Sequence, residues 1–143
     1  MKNQLSTTKD VSVTLLPLQQ LVSNLVNGFL STARRNQTQV VNEVRQEIAL
    51  GASTQSVIAI MGDLLSTVVS NSRNGDIHIT AERYCNTVTL EIQDRNNYNG
   101  YALAFSIASI ENDAHSMGGH IKINGTQKRV ATVSFSFPDK LVA

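Results

Sequence analysis

The chain has 143 residues, 41% of them apolar and 16% charged, which is ordinary for a globular protein and long enough to bury a core without staples. Twelve basic and eleven acidic side chains leave a net charge of +1, so total charge supplies no pull toward nucleic acid or a membrane surface. A single cysteine, Cys85, excludes an intrachain disulfide and a cysteine-rich zinc site.

Residues 1–10, MKNQLSTTKD, are polar and read as a flexible arm ahead of one domain over 11–143. They lack an apolar h-region, and no stretch reaches membrane-spanning length, so the expectation is a cytoplasmic protein. Leu18, Leu21, Val22, Leu25, Val26, Phe29, Leu30 and Ala33 then recur at helical spacing. They predict one helix, with Pro17 in its first turn and its end near Arg34-Arg35, whose cations suit a helix C-terminus. The Leu/Val stripe faces the core of its own domain or, in a homodimer, a second copy.

Thr38 to Val44 is β-branched and predicts a strand, followed by an irregular connector, RQEIALGAS, with a short extended piece. Ser53 or Thr54 caps a second helix with the stripe Val57, Ile60, Met61, Leu64, Leu65 and Val68, stopped by the turn cluster NSRNG. Ile77, Ile79 and Ala81 alternate with polar neighbours, as do Val88, Leu90 and Ile92; the two runs predict a hairpin closed at Tyr84 to Asn86. After the polar loop RNNYNGY, a third helix carries Ile107, Ile110, Ala114 and Met117 and stops at Gly118-Gly119. His120 to Asn124 and Val130 to Phe137 form a last hairpin around NGTQKR, with Val133, Phe135 and Phe137 inward and Pro138 at its end. Helices separated by paired strands predict an α+β fold, a two-layer α/β sandwich of one mixed, mostly antiparallel sheet with helices on one face.

No Gly-x-Ser-x-Gly, Walker-type loop or Cys/His pair is present. His78 and His120 occupy outward strand positions and His115 a helix surface, none with a second ligand at metal spacing.

Two segments carry more. IMGDLLSTVVSNSRNGDIHITAERYCNTVTLEIQD runs helix, Gly turn, two strands, carboxylate; AFSIASIENDAHSMGGHIKI is a helix closed by two glycines and followed by a strand. In order and spacing they resemble the catalytic ATP-binding domain of sensor histidine kinases, in the GHKL (Bergerat-fold) ATPase superfamily, from about Val40 to Pro138. The stretch from Val40 to Ser72 is similar to the family's NEVPE-L---AD strand leading into its N-box helix. GGHIKINGTQKRVATVSFSFP is similar to the closing run HGG-I-V-S--G-GT-F-F-LP.

The resemblance implies a Bergerat ATP-binding fold and, from the family's chemistry, ATP with Mg²⁺ as cofactors. The G1-box aspartate, an acceptor for the adenine amino group, falls on Asp94, and the supporting threonine of the last strand on Thr132. The N-box pair falls on Asp63 and Thr67, four apart and so on one helical face. Thr67 stands at the family's Mg²⁺ position, where the family has an asparagine, and Asp63 where hydrolysing relatives carry a glutamate general base. Counting back from Gly118-Gly119, the G2-box glycines that open the last helix fall on Ala104 and Ser106, which put Cβ atoms where backbone and phosphate meet. A second register places Gly100 in the first glycine position and lengthens the helix by four residues. Between Asp94 and Ala104 the interval that holds the family's ATP lid is only nine residues long.

These departures at Thr67, Ala104 and Ser106 imply a module of two-component-type signalling that regulates by binding, with weak or no ATP use. Its partner would be a kinase, a response regulator or a sigma-factor-type regulator, with no nucleic acid or membrane. The alternative is a functional ATP-binding kinase domain acting in trans, as a histidine kinase or an anti-sigma-type serine kinase.

Overall fold

The computed structural model describes residues 16–51 and 54–140. The arm expected at 1–10 and the cap at Ser53 lie outside them.

The first apolar stripe makes two helices rather than one. Strand β1 (Leu16–Pro17) leads into α1 (Leu18–Asn27), and α2 (Leu30–Arg35) follows a break at Gly28 and Phe29. Glycine is a poor helix former, and Phe29 leaves helical geometry at φ −115° and ψ 8°. Pro17 precedes the helix instead of sitting in its first turn, because it is extended and pairs with Ala49 of β3 (Ala49–Leu50). Leu18, Leu21 and Val22 are buried, and the Asn42 side-chain amide donates to the Gln19 carbonyl (3.0 Å), so α1 packs into the core of its own chain.

The remaining elements are β2 (Gln39–Asn42), α3 (Thr54–Asn71), β4 (Asp76–Tyr84), β5 (Thr87–Asp94), α4 (Gly100–Ser116), β6 (His120–Asn124) and β7 (Ala131–Pro138). Five strands form one sheet in the order β2-β4-β5-β7-β6, with β2 parallel to β4 and every other pair antiparallel. This is the expected α+β sandwich with a mixed, mostly antiparallel sheet.

Alternation along the strands decides the layers. Ile77, Ile79, Val88, Leu90, Ile92, Val133, Phe135 and Phe137 are buried in one core with Val57, Met61, Leu64 and Leu65 of α3 and Leu103, Ile107 and Ile110 of α4. The opposite face is polar, and its cross-strand partners include Thr80 with Glu91 and His78 with Gln93. His78 stands there between Glu43 and Asp76, 3.0 Å from each. α4 stops where two glycines were expected to stop it: Gly118 has φ +84°, and the Gly119 N–H returns to the Ala114 carbonyl (2.9 Å).

The C-terminal end of the sheet is fastened by an ion pair that the sequence pattern gave no sign of. The Asp139 side chain is 2% exposed, pairs with Arg83, and accepts the Gly51 N–H (2.9 Å), while Arg83 also donates to the Ala49 carbonyl (2.7 Å). Among the described residues, no helix is long and apolar enough to cross a membrane.

Candidate functional site

Asp94 ends β5 on the helix-covered side of the sheet and is 4% exposed. A buried carboxylate needs donors. The backbone N–H groups of Asp76 (3.2 Å) and Asn96 (3.0 Å) both donate to its Oδ1. Its Oδ2 receives no hydrogen bond among the described residues, and a Cβ placed on Gly75 would stand 3.3 Å from it. Beside Gly75, the Thr38 and Ser72 hydroxyls lie 2.7 Å apart, and Thr38 Oγ1 accepts the Gly75 N–H (3.2 Å). One buried polar knot thus joins the entry to β2, the end of α3, the start of β4 and the end of β5. Asp94 was legible in the sequence, but Thr38 and Ser72 were not. Only the turn composition around Ser72 to Gly75 marked that region.

Asp63 and Thr67 share a face of α3, as their spacing requires. Asp63 is exposed and Thr67 half-buried. Asp63 lines a cleft of ≈ 300 Å³ between α3 and α4 with Ser56, Ile60, Asp113 and Met117. Neither Asp94 nor Thr132 is among the residues lining that cleft.

Thr132 faces away from this region. In the ladder it pairs with Gln93 and Asn124, on the polar face of the sheet, whereas Asp94 pairs with Ala131. Ala131 is buried at 1% exposure and Thr132 is half-buried. Side chains alternate with a period of two, so a slip of one residue reverses the face. The structure thus places Thr132 and Asp94 on opposite faces of the sheet. No hydroxyl stands opposite Asp94 at that rung.

The last helix also begins earlier than the Ala104 register expects. α4 opens at Gly100 behind Asn99, so Ala104 and Ser106 occupy its second turn, both half-buried, and do not form its opening. The reason is a close approach. A Cβ on Gly100 would collide with the main chain of Thr126 in the β6–β7 turn, so only glycine fits there. The Asn97 N–H donates to the Arg129 carbonyl (2.7 Å), and the Asn97 side-chain amide to that of Lys128 (3.0 Å). Five residues, 95–99, connect β5 to α4, and the β6–β7 turn is hydrogen-bonded against them.

The two places that the resemblance assigns to ATP are therefore built differently. Among the described residues Asp94 Oδ2 is an acceptor without a donor. The start of α4 touches the β6–β7 turn at Gly100.

No family model and no curated protein matches the chain. Solved structures do resemble it. The Acinetobacter baumannii histidine kinase AdeS is similar at a TM-score of 0.72 and 12% identity, over 89% of this chain and 67% of that one. The nucleotide-free catalytic domain of histidine kinase ThkA is similar at a TM-score of 0.67 and 15% identity, over 88% of this chain and 95% of that domain. Full-length ShkA, in complex with AMPPNP, is similar at a TM-score of 0.72 and 14% identity, over 92% of this chain but 32% of ShkA. At these identities the likeness is one of fold. The chain has the fold of histidine kinase catalytic domains.

Proposed function

We propose that this chain, built on the histidine kinase catalytic fold, is a histidine-kinase-like ATPase domain of two-component-type signalling that works as a regulatory, partner-binding module with weak or no ATP use. The observation that carries this reading is the packing at the α4 opening, where Gly100 lies against the Thr126 main chain. Phosphate binding at a helix start needs free N–H groups with room for an anion. Here the Thr126 main chain lies against Gly100 and the β6–β7 turn borders that opening, in place of a Gly-rich cradle. The five-residue connection at 95–99 is too short to fold over a nucleotide as a lid. Thr67 supplies a hydroxyl, a poorer Mg²⁺ ligand than the carboxamide oxygen that the family has there, and Mg²⁺ tolerates little departure from octahedral geometry. The partner is a signalling protein: a kinase, a response regulator or a sigma-factor-type regulator. ThkA has been solved in complex with the response regulator TrrA, and it matches 90% of this chain at a TM-score of 0.64.

A second reading, a working ATP-binding kinase domain acting in trans, draws on Asp94 and its free Oδ2. In that case Asp63 would be the general base, and the γ-phosphoryl group would pass in line from the ADP oxygen to a histidine nitrogen or a serine oxygen of the partner.

Melting temperature separates the two. A ligand at a hundredfold excess over its dissociation constant stabilises by about 2.7 kcal/mol, and each kcal/mol raises the melting point of a domain this size by roughly 2–4 °C. The proposed function expects no such shift with millimolar ATP and Mg²⁺. A Mg²⁺-dependent shift of several degrees would establish the second reading. A shift with adenosine or ADP that ignores Mg²⁺ would show that Asp94 still serves a purine without a triphosphate.

A further inference from the structure

We propose that the cleft between the β5–α4 loop and the β6–β7 turn is a docking site for an acidic segment of a protein partner, anchored by an aromatic or aliphatic side chain. This assignment rests on the partner-binding reading above and gives that partner its chemistry.

The cleft measures ≈ 580 Å³ and is lined by Asn97, Tyr98 and Tyr101 from the loop and helix start and by Gln127, Lys128 and Arg129 from the turn. Its frame is set by hydrogen bonds. Asn97 holds the Lys128 and Arg129 carbonyls, and the Gln127 side-chain amide donates to the Tyr101 hydroxyl. A frame fixed in advance lowers the ordering cost of docking.

Two properties define the occupant. The first is apolar surface left in water: Tyr98 is 65%, Tyr101 66% and Phe105 84% exposed. Tyr101 and Phe105 are four apart and share a face of α4. Single exposed apolar side chains are common, but Tyr98 and Tyr101 line the cleft and Phe105 follows one turn along α4, outside its lining, a concentration of exposed aromatics of the kind that marks an interface. The second is unbalanced positive charge. Among the described residues neither Lys128 nor Arg129 belongs to an ion pair, and no carboxylate lines the cleft. Complementary charge on a partner steers its approach, while desolvated aromatic anchors hold it. Two cations on a chain of net charge +1 are few for tracking a phosphate backbone, which favours an acidic peptide over nucleic acid.

The test is selection of a random linear peptide library against the intact chain, followed by affinity measurement of the enriched peptides. The expected peptides are rich in Asp and Glu with a Leu, Phe or Trp anchor, and their affinity falls as salt rises. The double variant K128E/R129E binds them at least about tenfold more weakly, as do Tyr98→Ser and Phe105→Ser. All four positions are exposed, so the melting temperatures of these variants stay close to that of the parent. Enrichment of neutral or basic peptides, unchanged affinity in the charge-reversed variant, or tighter binding of a single-stranded oligonucleotide at this cleft would overturn the assignment. Binding of ATP with Mg²⁺ by the same protein would sink the ATP-independent reading while leaving the peptide result standing, so the two failures are distinct.

Discussion

At Asp94 a strand ends on a carboxylate that is almost wholly out of water, and its Oδ1 is the acceptor for two backbone N–H groups. Asp94→Ala strands both donors, and a buried unsatisfied donor costs about 1–3 kcal/mol. Chemical denaturation should show a loss in that range, and a smaller one for Asp94→Asn, whose carboxamide oxygen still accepts. Equal losses would mean that the charge, not the acceptor, matters. The Arg83–Asp139 pair obeys a different rule. Removing one partner of a buried pair leaves an uncompensated charge and costs about 3–5 kcal/mol, whereas replacing both with apolar groups is often close to neutral. Asp139→Ala should therefore destabilise strongly, and R83M/D139L should recover much of the loss. Additive losses in that cycle would contradict the buried-pair account. Residue identity was readable where a pattern fixed it and unreadable where only tertiary structure did. Asp94 closes an alternating strand and stands out. Asp139 follows the last strand without any periodic context, and its partner lies 56 positions away.

Among the elements, α4 sets the character of the site. Gly100→Ala tests its packing with a sign that propensity alone gets wrong. Alanine is favoured over glycine inside a helix by about 1 kcal/mol, yet a Cβ here meets the Thr126 main chain, and overpacking of this kind costs about 1–3 kcal/mol or more. Net destabilisation in thermal unfolding is expected, and stabilisation would mean that the turn does not press on the helix start. The second helix and the central hairpin were legible in the sequence because each shows one clean period, 3.6 or 2, bounded by turn residues. The break at Gly28 was not, because the apolar stripe continues in phase across it through Phe29 and Ala33. The start of α4 was missed for a related reason. Counting backward from Gly118 fixes length only if the helix matches its model, and the constraint that placed Gly100 at the opening comes from Thr126, on a distant turn. Thr132 stands one position from the rung of Asp94, which in a strand is the whole difference between one face and the other.

For the whole molecule, α3 and α4 cover one face of a five-stranded sheet and leave the other polar, an arrangement shared with histidine kinase catalytic domains. That architecture was the most legible feature of all, since it follows from alternation and element order and does not depend on any single residue. The proposed function turns on the packing around the start of α4. Calorimetric titration of the intact chain with Mg²⁺ and ATP examines that region most directly. The account predicts no saturable heat, or a dissociation constant weaker than about 1 mM, which corresponds to less than about 4.1 kcal/mol of binding free energy. A micromolar dissociation constant that requires Mg²⁺ would contradict it.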